Sequence, residues 1–173
     1  MRIKEIKREN RREQAWGMDL IIAIILFSIG IMYFYFYSVN YSSESKESLD
    51  SLYYDGEIIL KSIFSNGYPE NWNSENAVTI GILSNGRVDK TKLENFYNLA
   101  QNDYKKTKQL FNTRFDYLLF LSEPMIINSV EVSGIGKLGA TPENIQSKNL
   151  IKMTRFVIYE EKPRTAYLYI WEE

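Results

Sequence analysis

The chain of 173 residues contains no cysteine and no histidine. Without cysteine it can form no disulfide, and it offers no thiolate as nucleophile or metal ligand. Without histidine it lacks the side chain that most often serves as a general base or binds a metal near neutral pH. These two absences exclude zinc sites built from histidine and cysteine, and they exclude Ser-His and Cys-His nucleophile systems.

Charged residues are missing from one long segment near the N-terminus. Residues 20–37 read LIIAIILFSIGIMYFYFY, eighteen positions without a charge, in which only Ser28 could form part of a polar stripe. As an α-helix the segment would be about 27 Å long, close to the ~30 Å hydrocarbon core of a bilayer. The sequence therefore predicts a transmembrane helix over residues 20–37, with the lipid bilayer as its partner.

The charges on either side of this segment predict its orientation. Residues 1–16 carry six basic and three acidic side chains, whereas residues 38–173 carry 15 basic and 18 acidic ones. Because basic segments resist translocation, we expect the N-terminus in the cytoplasm and the rest of the chain outside. The expected organisation is a cytoplasmic basic leader (1–19), a single-pass transmembrane helix (20–37), a stalk (38–48) and an extracytoplasmic domain (49–173).

A cleaved secretory signal would also combine basic residues with an apolar core. Here the segment that precedes the core is nineteen residues long. The residues that end and follow the core, YFYFYSVNYSS, are bulky where a signal peptidase needs small side chains. We therefore expect the helix to be retained in the cell membrane as an anchor.

The stalk can be read in two ways. Residues 38–50 are Ser-rich and charged, as in a flexible linker, but they contain neither Pro nor Gly. From Leu49 onward, apolar residues recur at helical spacing until Asn66-Gly67 offers a helix end. The spacing favours one helix over about residues 15–65, although Gly56 lowers the helix propensity within it.

The remaining residues predict an α+β domain with a second helix and a mostly antiparallel sheet. We expect the second helix over residues 92–112, with Thr91 as its N-cap, and a tight turn at Asn85-Gly86. The expected strands are 77–83, 115–122, 126–133, 150–160 and 165–172, the last two joined as a hairpin around 161–164.

Several motifs in the sequence resemble functional sites but are better explained by a structural role. Residues 134–139 (GIGKLG) match the spacing of a dinucleotide-binding fingerprint, but a functional fingerprint opens a helix, and here Ala140-Thr141-Pro142 follows. Glu160 and Glu161 fall in a predicted turn. Lysines 105, 106 and 108 are typical of a solvated helix face. The basic residues of the leader are typical of a topology signal rather than of a nucleic-acid site. We therefore expect no catalytic residues, no metal, no cofactor and no nucleic-acid partner.

One stripe of the apolar helix points to a contact within the membrane. Asp19, Ala23, Leu26 and Gly30 follow one another at steps of four, three and four residues, so they share a helix face. An acid at the mouth of a membrane helix is costly, and small residues let a second helix approach closely. Two interpretations remain open: a helix–helix contact in the membrane, or an Asp19 that simply lies in the headgroup region at the first turn.

The basic leader, the apolar helix that begins with an acid and the helix-plus-sheet domain resemble a type IV pilin-like protein. Residues 12–27 (REQAWGMDLIIAIILF) are similar to archaeal examples. The segments GYPENWN (67–73), IGILSNGRVDKTKLENFYNLA (80–100) and RFVIY…YLYIW (155–171) resemble uncharacterised archaeal membrane proteins of that kind. The family places an acid at the fifth mature position, after a small residue. A cut before Ala15 makes Asp19 the fifth residue but leaves Gln14 ahead of the cut, and a cut after Gly17 makes Asp19 the second.

The resemblance implies a structural or minor subunit of a surface assembly such as a type IV pilus, without catalysis. Its partners would be other pilin-like subunits or a second copy of the chain, reached through the membrane helix. The alternative is a solitary membrane-anchored binding module in the extracytoplasmic space, which would use the exposed sheet or the loop over residues 134–148.

Overall fold

A computed structural model describes the backbone of residues 2–172 and the side chains of residues 17–39 and 47–172. The chain divides into two compact units, Met1–Lys46 and Glu47–Glu173. The architecture is α+β, with an apolar N-terminal helix, a second helix and antiparallel sheets, as the sequence predicts.

The first element is one helix, α1, which spans Arg2–Ile63. The prediction of a single helix over about 15–65 is therefore confirmed near its C-terminal end, and the helix begins earlier than expected. Residues 38–50 lack Pro and Gly, so their backbone chemistry does not interrupt the helical hydrogen bonds. In the first unit, every residue from 17 to 39 is exposed.

The second unit adds two helices and a series of strands. In chain order they are β1 (Leu83–Ser84), β2 (Arg87–Val88), α2 (Lys90–Asn102), α3 (Tyr104–Leu110), β3 (Asp116–Leu121), β4 (Met125–Ile127), β5 (Val130–Val132), β6 (Ile135–Gly136), β7 (Leu150–Tyr159) and β8 (Lys162–Trp171). The main sheet has the strand order β6-β3-β8-β7, and its pairs are antiparallel. β1 pairs with β2, and β4 pairs with β5, in two separate hairpins.

The part of α1 in the second unit packs one face against the main sheet. Leu52 and Ile59, seven residues apart, are fully buried. Gly56 lies between them on the same face, and a Cβ atom there would stand 2.9 Å from the sulfur of Met153 and 3.3 Å from a methyl group of Ile170. The glycine that weakens the helix on propensity alone therefore lets its backbone approach β7 and β8.

The final hairpin is confirmed, with a shift at its turn. β7 pairs with β8 along ten residues each, from Leu150 opposite Trp171 to Tyr159 opposite Lys162. The turn is formed by Glu160 and Glu161, whose φ angles are 51° and 61°. Two successive positive φ values are typical of a two-residue hairpin turn. The strand therefore begins at Lys162 instead of residue 165, and the expected turn over 161–164 is wrong.

The predicted strand over residues 77–83 is wrong except at its last residue. Thr79 forms an isolated bridge with Tyr68, and Leu83 begins β1. The segment runs beside the end of α1 instead, where the amide of Ile82 donates to the carbonyl of Ile63 at 2.7 Å. Ala77, Ile80 and Ile82 of this segment are buried in the core without joining a sheet, whereas Val78 is exposed. The tight turn that follows is confirmed, since it joins β1 to β2.

The predicted helix over 92–112 is two helices, α2 and α3, separated at Asp103. The N-cap of α2 is Asp89 instead of Thr91, and its carboxylate accepts from the amide of Lys92 at 3.0 Å. The carboxylate of Asp103 accepts from the amide of Lys106 at 3.0 Å and starts α3. A second capping residue inside the apolar pattern therefore breaks the helix.

The predicted strand 115–122 corresponds to β3, whereas the predicted strand 126–133 is split. Asn128 and Ser129 both have positive φ angles and turn the chain between β4 and β5. β6 was not predicted, because two residues carry too little pattern to mark a strand.

The inner face of the main sheet forms the core with the helices. Alternate residues of β3 and β8 are buried there, namely Tyr117, Leu119, Leu121, Ala166, Leu168 and Ile170. Phe96 of α2 stacks on Tyr117 with 6.4 Å between the ring centroids. The helices thus cover one face of the sheet and leave the outer face to other segments or to solvent.

Candidate functional site

The outer face of the main sheet is covered at one end. Because successive side chains of a strand alternate, Leu118 and Trp171 lie on the face opposite the core, yet both are buried. A Cβ atom on Gly134 would lie 2.8 Å from Leu118, so the chain after β5 packs directly on that side chain. Ser147 donates to the carbonyl of Glu172 at 2.6 Å. The residues that follow β6, 137–149, continue over this end of the outer face, where the Lys137 ammonium lies 6.0 Å from the Trp171 ring centroid, and we call them the covering segment.

A buried carboxylate fixes the covering segment. Asp116, at the start of β3, is 6% exposed. It accepts from the ammonium groups of Lys108 at 2.9 Å and Lys137 at 2.7 Å. The Tyr104 hydroxyl donates to it at 3.1 Å and accepts from the amide of Tyr117 at 3.0 Å. The carboxylate thus joins α3, β3 and the segment that follows β6.

The electrostatics of this cluster favour a permanent ion network. Burial would raise the pKa of Asp116, but the hydrogen bonds from Lys137 and Lys108 outweigh it and hold the pKa below its ordinary value. Burial raises the pKa of the Tyr104 hydroxyl well above its ordinary range. At neutral pH the carboxylate is charged and the phenol is protonated, which is the arrangement of a structural clamp.

The prediction that Lys108 belongs to an ordinary solvated face is therefore wrong. Its side chain is 23% exposed and is bound to Asp116. Lys105 is exposed as expected, and Lys106 reaches the carbonyl of Ser74 at 2.7 Å. The helical spacing of the three lysines gave no sign of the carboxylate, because Asp116 comes from the next strand.

Beyond the covering segment, the outer face is open and aromatic. The Phe120 ring lies 5.2 Å from that of Tyr167 and 5.0 Å from that of Tyr169, between centroids. The ammonium group of Lys152 lies 4.2 Å from the Tyr167 centroid, within cation–π range. Phe156, on β7, is 82% exposed. These five residues define what we call the aromatic face.

The aromatic face is the candidate functional site of the second unit. An exposed phenylalanine beside partly exposed tyrosines is unfavourable in water unless another surface covers it. Phenylalanine and tyrosine are also enriched where proteins contact partners. The aromatic face can make apolar contacts, it can form hydrogen bonds through two phenol groups, and it carries one positive charge. These properties suit the binding of a partner.

The residues predicted for the membrane contact all lie in the first unit. Asp19, Ala23, Leu26 and Gly30 are exposed and share one side of α1. A Cβ atom added at Gly30 would meet nothing within 4 Å. A second helix could therefore approach this side of α1 as the spacing predicts, and the contact itself stays a prediction.

The GIGKLG motif forms a strand and a turn instead of a helix N-terminus. Ile135 and Gly136 are β6. Gly136 has a φ of 152° and approaches Tyr117 so closely that a Cβ atom would stand 2.2 Å from its carbonyl oxygen. The glycine allows β6 to pair with β3, and Lys137 reaches Asp116. These residues hold the covering segment in place.

The pair of glutamates is likewise accounted for by the hairpin. Glu161 binds Arg87 at 2.6 Å, and both side chains are exposed. The pair therefore connects the β1–β2 hairpin to the turn between β7 and β8. Within the part of the chain whose side chains are described, no three acidic side chains come close enough together to hold a metal ion.

One described segment, Gly17–Val39, is long and apolar enough to cross a membrane, and a signal sequence near an N-terminus meets the same criterion. Comparison with protein-family models, with curated proteins and with solved structures found no match to this chain. The fold and the surfaces of the chain itself therefore carry the functional argument.

Sequence reasoning pointed to the exposed sheet as a binding surface but did not identify its residues. The signal was present in residues 167–171 (YLYIW), where both alternating sets are apolar. Leu168 and Ile170 supply the core, which leaves Tyr167 and Tyr169 for the other face. A strand that is apolar on both faces indicates either that both faces are covered within the protein or that one face binds another molecule.

Proposed function

We propose that this protein is a membrane-anchored, pilin-like structural or minor subunit of a surface assembly, and that it performs no catalysis. In this proposal α1 crosses the cell membrane once, with the N-terminus in the cytoplasm and the second unit outside. The subunit would associate with other pilin-like subunits, or with copies of itself, through the membrane helix.

The observation that carries the proposal is the double role of α1. The same helix that bears the apolar segment Gly17–Val39 also supplies Leu52, Ile59 and Ile63 to the core of the second unit. A signal sequence that is cleaved off does not form one continuous helix with the core of the mature domain. This use of one helix, together with the antiparallel sheet that it packs against, supports the resemblance to pilin-like proteins.

Crosslinking in native membranes tests the assembly. The wild-type chain should give oligomers, and Gly30→Leu should reduce them because it fills the groove at which a second helix would approach. Asp19→Asn should also reduce them, by removing a charge that a neighbouring helix would compensate. Ser28→Leu is the matched control, since Ser28 lies on the opposite side of the helix and the same bulk should have little effect there. Wild-type protein that stays monomeric would rule out the assembly role.

The aromatic face favours a second candidate function, a solitary anchored module that binds a partner in the extracytoplasmic space. A solitary anchor should be indifferent to Gly30→Leu and should insert slightly more readily with Asp19→Asn. The same crosslinking experiment therefore separates the two functions, because only the assembly depends on these membrane residues.

A further inference from the structure

The exposed side of α1 in the second unit is acidic and aromatic. Glu47, Asp50 and Glu57 lie on the side of the helix turned away from the sheet, with Lys61 as the basic residue among them. Glu57 and Lys61 pair with each other at 2.6 Å, which leaves the acids in excess. Tyr53 and Tyr54 on the same side are 57% and 66% exposed. We call this surface, over residues 47–61, the acidic helix face.

The aromatic face has the complementary composition. It belongs to the open part of the outer face, which is made by the outward residues of three strands, namely Phe120, Leu150, Lys152, Thr154, Phe156, Ile158, Pro163, Thr165, Tyr167 and Tyr169. Among these described residues there is no acidic side chain, and Lys152 is the basic one. The surface therefore offers a positive charge set among aromatic rings, where the acidic helix face offers negative charges beside exposed tyrosines.

The two surfaces lie on opposite sides of the second unit. α1 packs on the inner face of the main sheet, so its exposed side points away from the sheet, and the outer face points the other way. The two surfaces therefore cannot meet within one molecule. A contact between them joins two copies head to tail, and the same surfaces remain free at both ends of the pair. Contacts of this type generate closed rings or open helical filaments, depending on the rotation between neighbouring copies.

We propose that the aromatic face of one copy binds the acidic helix face of the next copy. This inference rests on the proposed function, which supplies the assembly, and adds the surfaces outside the membrane through which it forms. Lys152 would face the acids of the neighbouring helix, chiefly Asp50. Phe156 and Tyr167 would be covered by Tyr53 and Tyr54. Complementary charges across such a contact select the partner surface and its register.

Charge reversal on the full-length chain in membranes tests the pairing. Lys152→Glu alone, or Asp50→Lys alone, should lower the yield of crosslinked oligomers about fivefold, because each places like charges opposite one another. A chain that carries both changes should recover most of the wild-type yield, since the reversed charges again attract between copies. The thermal midpoint of each purified variant should stay near that of the wild type, which excludes misfolding. Recovery that fails in the double variant overturns the proposal.

The absence of cysteine allows a direct test of the geometry. One tagged copy carries Thr154→Cys on the aromatic face, and a differently tagged copy carries Tyr54→Cys on the acidic helix face. Mild oxidation in membranes should join the two tags in one band. Thr154→Cys combined with Thr165→Cys is the control, because both residues point outward from the main sheet and should not meet head to tail.

The outcomes separate this inference from the proposed function. Thr154→Cys that crosslinks mainly to itself would mean that aromatic faces pair with each other, and would overturn the head-to-tail contact. Wild-type oligomers without a band between Thr154→Cys and Tyr54→Cys would overturn the contact while leaving the assembly role intact. If the wild-type chain gives only monomers, both the head-to-tail contact and the assembly role are overturned.

Discussion

At the scale of single residues, Asp116 is the side chain on which the outer face depends. It is buried and holds two lysines from different elements, so it fixes the covering segment over Trp171. Removing a donor from a buried carboxylate destabilises the fold, because the buried charge is then less well compensated. The clamp sets where the covered end of the sheet stops and where the aromatic face begins.

Asp116→Asn should destabilise the second unit by about 2–3 kcal/mol. The amide keeps the shape of the side chain but removes the buried negative charge that accepts from the ammonium groups of Lys108 and Lys137. Urea unfolding of the purified chain measures the loss. Glu57→Gln breaks an exposed ion pair and is the control, since it should leave the midpoint nearly unchanged. Equal midpoints for Asp116→Asn and wild type would show that the clamp contributes nothing.

The same clamp predicts a dependence on pH. The pKa of Asp116 is lower in the folded chain than its ordinary value of about 4, so the folded state binds fewer protons than the unfolded state. Its contribution to stability is therefore complete above about pH 4 and is lost as the pH falls below that value towards the folded pKa. The stability difference between wild type and Asp116→Asn should stay constant above about pH 5 and shrink as the pH falls from about 4 to about 2. A difference that stays constant over this range would contradict the assignment.

At the scale of elements, α1 approaches the main sheet closely at Gly56. Gly56→Leu should destabilise the second unit by about 1–3 kcal/mol, because the new side chain collides with Met153 and Ile170. The cost of this collision exceeds the gain in helix propensity. Adding Met153→Ala opens the space, so the double variant should lose less than the sum of the single changes. Additive losses would show that the two residues do not share a contact.

Elements with strong local patterns were predictable, and elements set by distant contacts were not. The alternation of β7 and β8 and the helical spacing of residues 49–63 identify those elements from the sequence. Residues 77–83 have the apolar character of a strand but run past the end of α1, where the Ile82 amide donates to the Ile63 carbonyl and the Val78 and Thr79 amides donate to that of Tyr68. Asp103 interrupts a continuous apolar stripe, because its carboxylate caps a new helix. The Asp116 clamp joins residues far apart in sequence, so no spacing could reveal it.

At the scale of the whole molecule, α1 contributes residues to both compact units of the chain. The first unit is an exposed apolar helix over Gly17–Val39, and the second unit has a packed core with one open aromatic surface. Both the apolar helix and the aromatic face have exposed apolar side chains. A bilayer around the first and a neighbouring subunit against the second would remove both from water.

The central claim is that α1 remains in the membrane and holds the second unit outside the cell. Single cysteines introduced as Ser74→Cys in the second unit and Asn10→Cys in the leader test it in the otherwise cysteine-free chain. A maleimide that cannot cross membranes should label Ser74→Cys in intact cells and Asn10→Cys only after lysis. The full-length protein should stay with the membrane through alkaline extraction. Release of a shortened protein that has lost its apolar segment, or labelling of Asn10→Cys in intact cells, would contradict the account.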